Sequence, residues 1–212
     1  MQSFVALSPR ISLVELDQDV AEGLDAVCVL LTAELVAPPS PDVELDLGLT
    51  FLDVVCTEML VYHRRFDAHR AMYRPSIRGF LEYGESRKLT AEDYAAIQEL
   101  RLDLTATWLD WLAEHRIDAL VEPTVPIVAH ARGDGYAAPF TDVAEISLTH
   151  YWNWTGFPVV TFPSGVGSRS GLPVSVSLVG APHAEWDLMS AGAALQAEIG
   201  TFEPSLRIEE TT

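Results

Sequence analysis

Apolar and polar positions along the chain alternate between short runs of β period and longer runs of helical period. Residues 10–16 (RISLVEL) alternate and are rich in branched side chains, which predicts a strand. Asp17 and Asp19 offer caps for a helix running to about Leu35, and the prolines of APPSPD (37–42) then force a loop. A short strand is expected in DVELDLG (42–48). From about Thr50, Leu52, Val55, Met59, Tyr62 and Phe66 recur at helical spacing, predicting a helix that ends near Arg74 and Pro75. A short connector and a second long helix follow. That helix is expected to start at Thr90, whose hydroxyl lies three residues before the Asp93 carboxylate, and to run to His115 with Leu100, Leu104, Trp108 and Trp111 on one side.

The later part of the chain reads as buried strands tied by Gly/Pro turns. DALVEP (118–123) is a short apolar strand that Pro123 terminates. Residues 130–140 (HARGDGYAAPF) have loop composition. PVVTFP (158–163) and VSVSLVG (174–180) predict two strands, and the glycines of the intervening SGVGSRSGL suit a hairpin-type connection. A last helix covers 185–199. With no repeat, low-complexity tract or clean linker, residues 1–212 read as a single domain. The order of elements predicts an α/β fold, a mixed β-sheet covered by helices.

Composition narrows the function classes. A chain of 212 residues with 49% hydrophobic content can bury a sizeable core. A formal charge of −18 repels phosphate backbones and anionic lipid heads, so neither nucleic acid nor membrane is an expected partner. Cys28 and Cys56 sit in apolar runs, where a free thiol behaves as a small hydrophobe, and no basic leader precedes a long apolar run. A reduced, cytoplasmic setting is the expectation. The cations comprise twelve arginines and one lysine, Lys88.

Four pieces in residues 118–199 occur in a particular order. Asp118, Leu120, Pro123, Thr124 and Pro126 follow the long helix. Thr149, Asn153, Gly156 and Pro158 precede a strand. Pro163, Gly165, Gly171, Leu172, Pro173 and Gly180 frame the strand pair, and Glu185 opens a helix with Leu188, Ala191 and Leu195 inward. This order resembles the C-terminal half of the amidase signature family, serine hydrolases that cleave carboxylic amides. The resemblance covers about 10–200 and is strongest over 118–199. Ser175 and Ser177 depart from it, standing where the family usually has Gly and Gln. The same residue types also serve folding alone, since the prolines pin an extended exit and Asn153 can bond local backbone. What the resemblance implies is an acyl pocket wall formed by the Thr124 loop, the 130–140 loop and the 149–153 segment, with Thr124, Thr149, Trp152 and Asn153 as substrate-binding candidates.

The family's catalysts are a serine, a second serine on a cis peptide and a buried neutral lysine, all upstream of this half. A lysine pKa falls far enough only in a packed, desolvated site. Lys88, beside Arg87 and among acids, reads as solvated, and the Ser168 and Ser170 stretch reads as a turn. No catalytic residue is therefore assigned. No Gly-x-Ser-x-Gly elbow is present, although His130, His150 or His183 could in principle serve a triad built from any serine. His63, Asp67 and His69 make a poor metal site, and no metal or cofactor is expected. Asp134 and Asp142 could hold a substrate amine. Trp152 and Trp154 offer either stacking surfaces or core.

Three readings follow. The first is the C-terminal portion of an amidase-type hydrolase that lends sheet and pocket wall and is inactive without the Ser/cis-Ser/Lys half. Its partners would be that half or a second copy, and a small-molecule amide. The alternative is a non-catalytic, amidase-derived binding or interaction module, and the third is a self-sufficient hydrolase with an unrelated triad.

Overall fold

The computed structural model describes residues 4–31, 34–43, 47–130 and 146–202. Five strands form one mixed sheet in the order β2-β1-β3-β5-β4. The strands are β1 (Phe4–Leu7), β2 (Glu34–Val36), β3 (Ala119–Pro123), β4 (Val159–Val166) and β5 (Pro173–Val179). β1 pairs in parallel with β2 and β3, placing Ala6 beside Val36 and Leu120. β5 runs antiparallel to β3 and β4, so Ser177 lies opposite both Glu122 and Thr161. The β4 register shifts between Pro163 and Gly165.

Alternation along the strands sends side chains to two cores. On one face, Val5, Val121, Val176, Leu178 and Phe162 pack beneath helices α1 (Gln18–Leu30) and α6 (Glu185–Ile199), which contribute Leu24, Val27, Leu188 and Leu195. On the other, Ala6, Leu120 and Val179 meet Trp108, Trp111 and Leu112 of α4 (Ala91–His115) and Tyr151, Trp152 and Trp154 of α5 (Thr149–Thr155). Each fully buried Val or Leu contributes roughly 1.5–3 kcal/mol relative to exposure. The two long-range layers, rather than helix propensity, therefore hold the elements in place.

Several expectations are met closely. α4 starts from Thr90, whose hydroxyl accepts the Asp93 amide while Asp93 accepts the Thr90 amide. β3, the β4–β5 pair and α6 fall where the sequence places them. Others need correction. Residues 10–16 are not a strand. The strand is Phe4–Leu7, and Pro9, at the start of a 3₁₀ segment Pro9–Leu13, turns the chain so that Arg10 points into the core. α1 stops at Leu30 rather than about Leu35, because Glu34–Val36 is taken up by β1 as an edge strand. The centre of the expected 42–48 strand, 44–46, lies outside the described residues, while Gly48 already belongs to a helix.

The helix from Thr50 ends earlier than Arg74. α2 spans Gly48–His63, and the chain tightens into a 3₁₀ run, Arg64–Met72. Pro75 does not merely end a helix. It stands at the start of α3 (Pro75–Arg87), a helix in place of the expected short connector, because proline's fixed φ suits a first helical turn. α3 is pinned to α2 by Arg87, whose Nε and Nη2 donate to the two oxygens of Asp53 at 2.6 and 2.7 Å. Among the described residues, no helix is long and apolar enough to cross a membrane.

Candidate functional site

The richest polar geometry lies where β3 leaves the sheet. Thr124 follows Pro123, and its amide donates to the Ser175 carbonyl at 3.1 Å. Its hydroxyl is 2.9 Å from Ser177 Oγ, which is 3.0 Å from Thr161 Oγ1. Three hydroxyls thus cross three strands in a row. Antiparallel pairing makes this possible, because directly opposed residues share a face. Thr161 and Val159 are exposed on this face, so the helical cover stops short of β4, which ends the sheet among the described residues. A row of neutral hydroxyls can orient an amide carbonyl or amine. It contains no base to activate Ser177, whose Oγ faces two other hydroxyls.

Two residues before Thr124, on the same side of β3, Glu122 is only 2% exposed. Trp152 Nε1 donates to its Oε1 at 2.6 Å. Burial raises the Glu122 carboxyl above the ordinary range, and nearby Arg10, Ser8 and Trp152 oppose the rise. Arg10 is 1% exposed and bridges to the same helix. Its Nη1 donates to the Leu148 carbonyl and its Nη2 to the Ser147 carbonyl, each at 2.6 Å. Its guanidinium lies 4.3 Å from the Tyr151 ring centroid. Glu122 Oε2 and Ser8 Oγ are enclosed without a well-formed hydrogen bond among the described residues. Arg10 and Glu122 together clamp α5 onto the sheet from two ends.

The structure separates the four binding candidates. Thr124 is half-buried within the hydroxyl row. Thr149 opens α5, with its hydroxyl 3.4 Å from the Ile146 carbonyl. Asn153 is exposed one turn further along. The 149–155 segment is a helix, and Gly156 ends it in the left-handed region at φ 80°. Trp152 is enclosed at 1% exposure, and Trp154 is also buried, so neither offers a stacking surface here. The Trp152 ring joins Trp108, Tyr151 and Phe157 in edge-on and tilted contacts.

The remaining candidates are dispersed. Positions 131–145, with Asp134, Asp142 and most of the 130–140 loop, lie outside the described residues. His150 Nδ1 is 2.7 Å from the Ile146 carbonyl, and its ring packs on Phe51. His63 Nδ1 is 2.7 Å from the Tyr73 hydroxyl. Lys88 is exposed at the end of α3 in the left-handed region, φ 51°. Ser168 and Ser170 lie in a turn that Asp19 gathers by accepting the amides of Arg169 and Ser170 at 3.1 and 2.8 Å. Sequence reasoning missed two arrangements, the buried Arg10 and Glu122 that hold α5 and the Thr161 and Ser177 hydroxyls beside Thr124. The one available signal was a lone acid within the apolar strand ALVEP.

Comparison with known proteins places this geometry in context. No family model matches the chain. It is 31% identical over 174 residues to a Pseudomonas putida protein named amidase, covering 78% of this chain and 36% of that protein. It is 33% identical over 94 residues to a glutamyl-tRNA(Gln) amidotransferase component of Granulibacter bethesdensis, covering 44% of this chain and 19% of that protein. The chain therefore spans about a third or less of the length of these curated relatives. Among solved structures, a bacterial aryl acylamidase of the amidase signature family superposes with a TM-score of 0.68 at 17% identity, over 92% of this chain and 43% of that one. A protein from a vestigial complex tied to the origins of an s-triazine catabolic enzyme gives 0.75 at 22% identity, over 93% and 43%. At these identities the structural likeness shows the fold. With curated relatives named as an amidase and an amidotransferase, and with the sheet shared with a solved member, this chain belongs to the amidase signature family.

Proposed function

We propose that this chain is the C-terminal portion of an amidase-type carboxylic amide hydrolase. It supplies part of the sheet and the wall of the acyl pocket, and it is inactive without a segment carrying the serine, cis-serine and lysine machinery. One observation carries the reading. The Thr124, Ser177 and Thr161 hydroxyls form a polar row that passes from the half-buried Thr124 through the buried Ser177 to the exposed Thr161 on the edge strand β4, where the described helices stop covering the sheet. An open sheet edge and a partly uncovered face suit a surface that another segment completes. In this reading Thr124 and Asn153 face substrate, Thr149 lines the rim, and Trp152 acts from below by fixing Glu122. The partial overlap with longer relatives supports the same division of labour.

The test assays the purified chain on simple aryl and alkyl amides, alone and after co-expression with the part of the Pseudomonas putida relative that this chain does not overlap. No turnover alone and turnover in the co-purified pair is the expected result. Turnover by the chain alone, abolished by replacing one histidine, would overturn the proposal in favour of a self-sufficient hydrolase. A co-purified pair that stays inactive while retaining amide binding would favour the non-catalytic module.

A further inference from the structure

On the face of the sheet away from the hydroxyl row, a groove of about 410 Å³ lies between α6 and the end of α1. Its floor is Val5, Ala119 and Leu178, from the adjacent strands β1, β3 and β5, and Leu30 and Leu31 wall it where α1 ends. Asp118, which also lines it, precedes β3 and is separated from Thr124 by about 20 Å of extended chain. Successive residues such as Ser177 and Leu178 point to opposite faces of the sheet. The groove is therefore distinct from the hydroxyl row in both end and face.

One stripe of α6 builds the other wall. Asp187, Ala191, Ala194 and Glu198 all line the groove, and their spacing of four, three and four residues keeps them on one side of the helix. The groove thus follows α6 for about 16 Å at the helical rise. The two alanines leave the middle of this wall shallow, and the buried Leu188 and Leu195 continue it toward the floor. The result is an elongated apolar trough with a carboxylate at each end.

Two features set the charge of a matching ligand. Asp118, Asp187 and Glu198 are all exposed, and no Lys, Arg or His lines the groove among the described residues. Asp118 already accepts the Phe4 amide at 2.9 Å, which leaves Asp187 and Glu198 as the acids set at the two ends of the trough. Independently, α1 ends at the groove with no basic residue in its last turn, so the negative end of its dipole also favours a cation there.

We propose that this groove binds an aliphatic diammonium ligand, a linear chain with an apolar middle and a protonated amine at each end. Its methylenes fill the alanine-lined middle, one ammonium meets Asp187 and the other Glu198. The volume falls within the range of small-molecule sites. A neutral chain of the same shape leaves both carboxylates without a counter-charge, and an anionic one is repelled. The inference is independent of the hydrolase reading.

The experiment is isothermal titration calorimetry of the full chain with the terminal diamines of butane, octane and dodecane, and with the terminal diol of octane. Affinity is expected to rise at least about tenfold from the butane to the octane diamine and not to fall at dodecane, since each buried methylene is worth up to about fourfold. The octane diol is expected to bind about tenfold more weakly than the octane diamine. D187N/E198Q keeps the shape and should lower the octane diamine affinity about tenfold while leaving the diol unchanged. It removes only two of the eighteen net negative charges, so general attraction to an acidic chain does not explain such a loss. A194L fills the middle of the trough with its charges intact and should weaken diamine and diol alike by at least about tenfold. All these positions are exposed, circular dichroism checks folding, and A191L serves the same purpose should A194L unfold. Absence of diamine binding, a diol bound as tightly as the diamine, equal affinity across the diamine series, or affinities that neither the charge nor the filling variants lower would each overturn the site.

Discussion

Replacing Arg10 with Met is expected to destabilise the fold by about 3 kcal/mol, and the structure supplies the terms. Met keeps the length and much of the apolar stem, so little cavity forms. The lost bond to the buried Leu148 carbonyl is a charged hydrogen bond worth roughly 1.5–3 kcal/mol when its partner is stranded. The Ser147 carbonyl belongs to a half-buried residue that water can reach, so its loss costs about 0.5–1 kcal/mol. The guanidinium over Tyr151 adds about 1–2 kcal/mol at a desolvated site. Against these stands the desolvation penalty that Arg10 itself no longer incurs, which removes part of the sum. Glu122 then lacks its nearest opposing charge, and a carboxyl already raised by burial is pushed further up. Urea denaturation followed by tryptophan fluorescence measures the change, as a lower midpoint at unchanged slope. In the R10M background, E122Q is expected to recover about 1–2 kcal/mol, a coupling that only residues of one network show. An R10M cost below about 1 kcal/mol, or additivity of the two substitutions within about 0.5 kcal/mol, would refute the clamp.

Other perturbations probe the two buried carboxylates and the turn. Because the folded pKa of Glu122 is raised, its contribution to stability is fully present below the ordinary value of 4.5 and is lost as pH rises through the folded value. Tm measured across that window should fall less steeply in E122Q, and an unchanged slope would count against the assignment. Asp19 has the opposite sign. The Ser170 hydroxyl and amide hold its carboxyl below the ordinary 3.8, so its contribution is present above that value and lost as pH falls through the folded one. D19N should flatten the acid limb of the same Tm profile, and an acid limb as steep as before would refute it. At Gly167 an added Cβ would collide with the Asp19 carboxylate, so G167A is expected to cost about 1–3 kcal/mol in urea unfolding. Unaltered stability would show that the turn is not held as described.

Local signals and long-range ones separate cleanly in this chain. Thr90 with Asp93 fixes the start of α4 within four residues, and apolar runs broken by Pro and Gly fix β3, β4, β5 and α6, so these elements are readable without a partner in view. Phe4–Leu7 is not. It is only four residues long, so its alternation is too brief to register, while the clearer alternation of 10–16 belongs to a segment that Pro9 bends into a 3₁₀ turn. α3 is hidden because Pro75 reads as a stop, and the same ring serves equally to start a helix. α5 is the instructive failure. THYWNWT has low intrinsic helix propensity and is shorter than any isolated helix stable in water. It is helical because Arg10, 137 and 138 positions away from its two carbonyl partners, caps its approach, and Glu122, 30 positions away from Trp152, accepts the indole. Such a helix cannot be inferred from its own residues, since the free energy that forms it resides in two charged groups on other strands and turns. The same holds for the candidate site. Thr124 is identifiable from its place after Pro123, but its hydroxyl row needs Ser177 and Thr161, which only strand register brings beside it. A substitution at Arg10 should therefore disturb α5, and with it Thr149 and Asn153, while leaving the β-borne hydroxyl row in place.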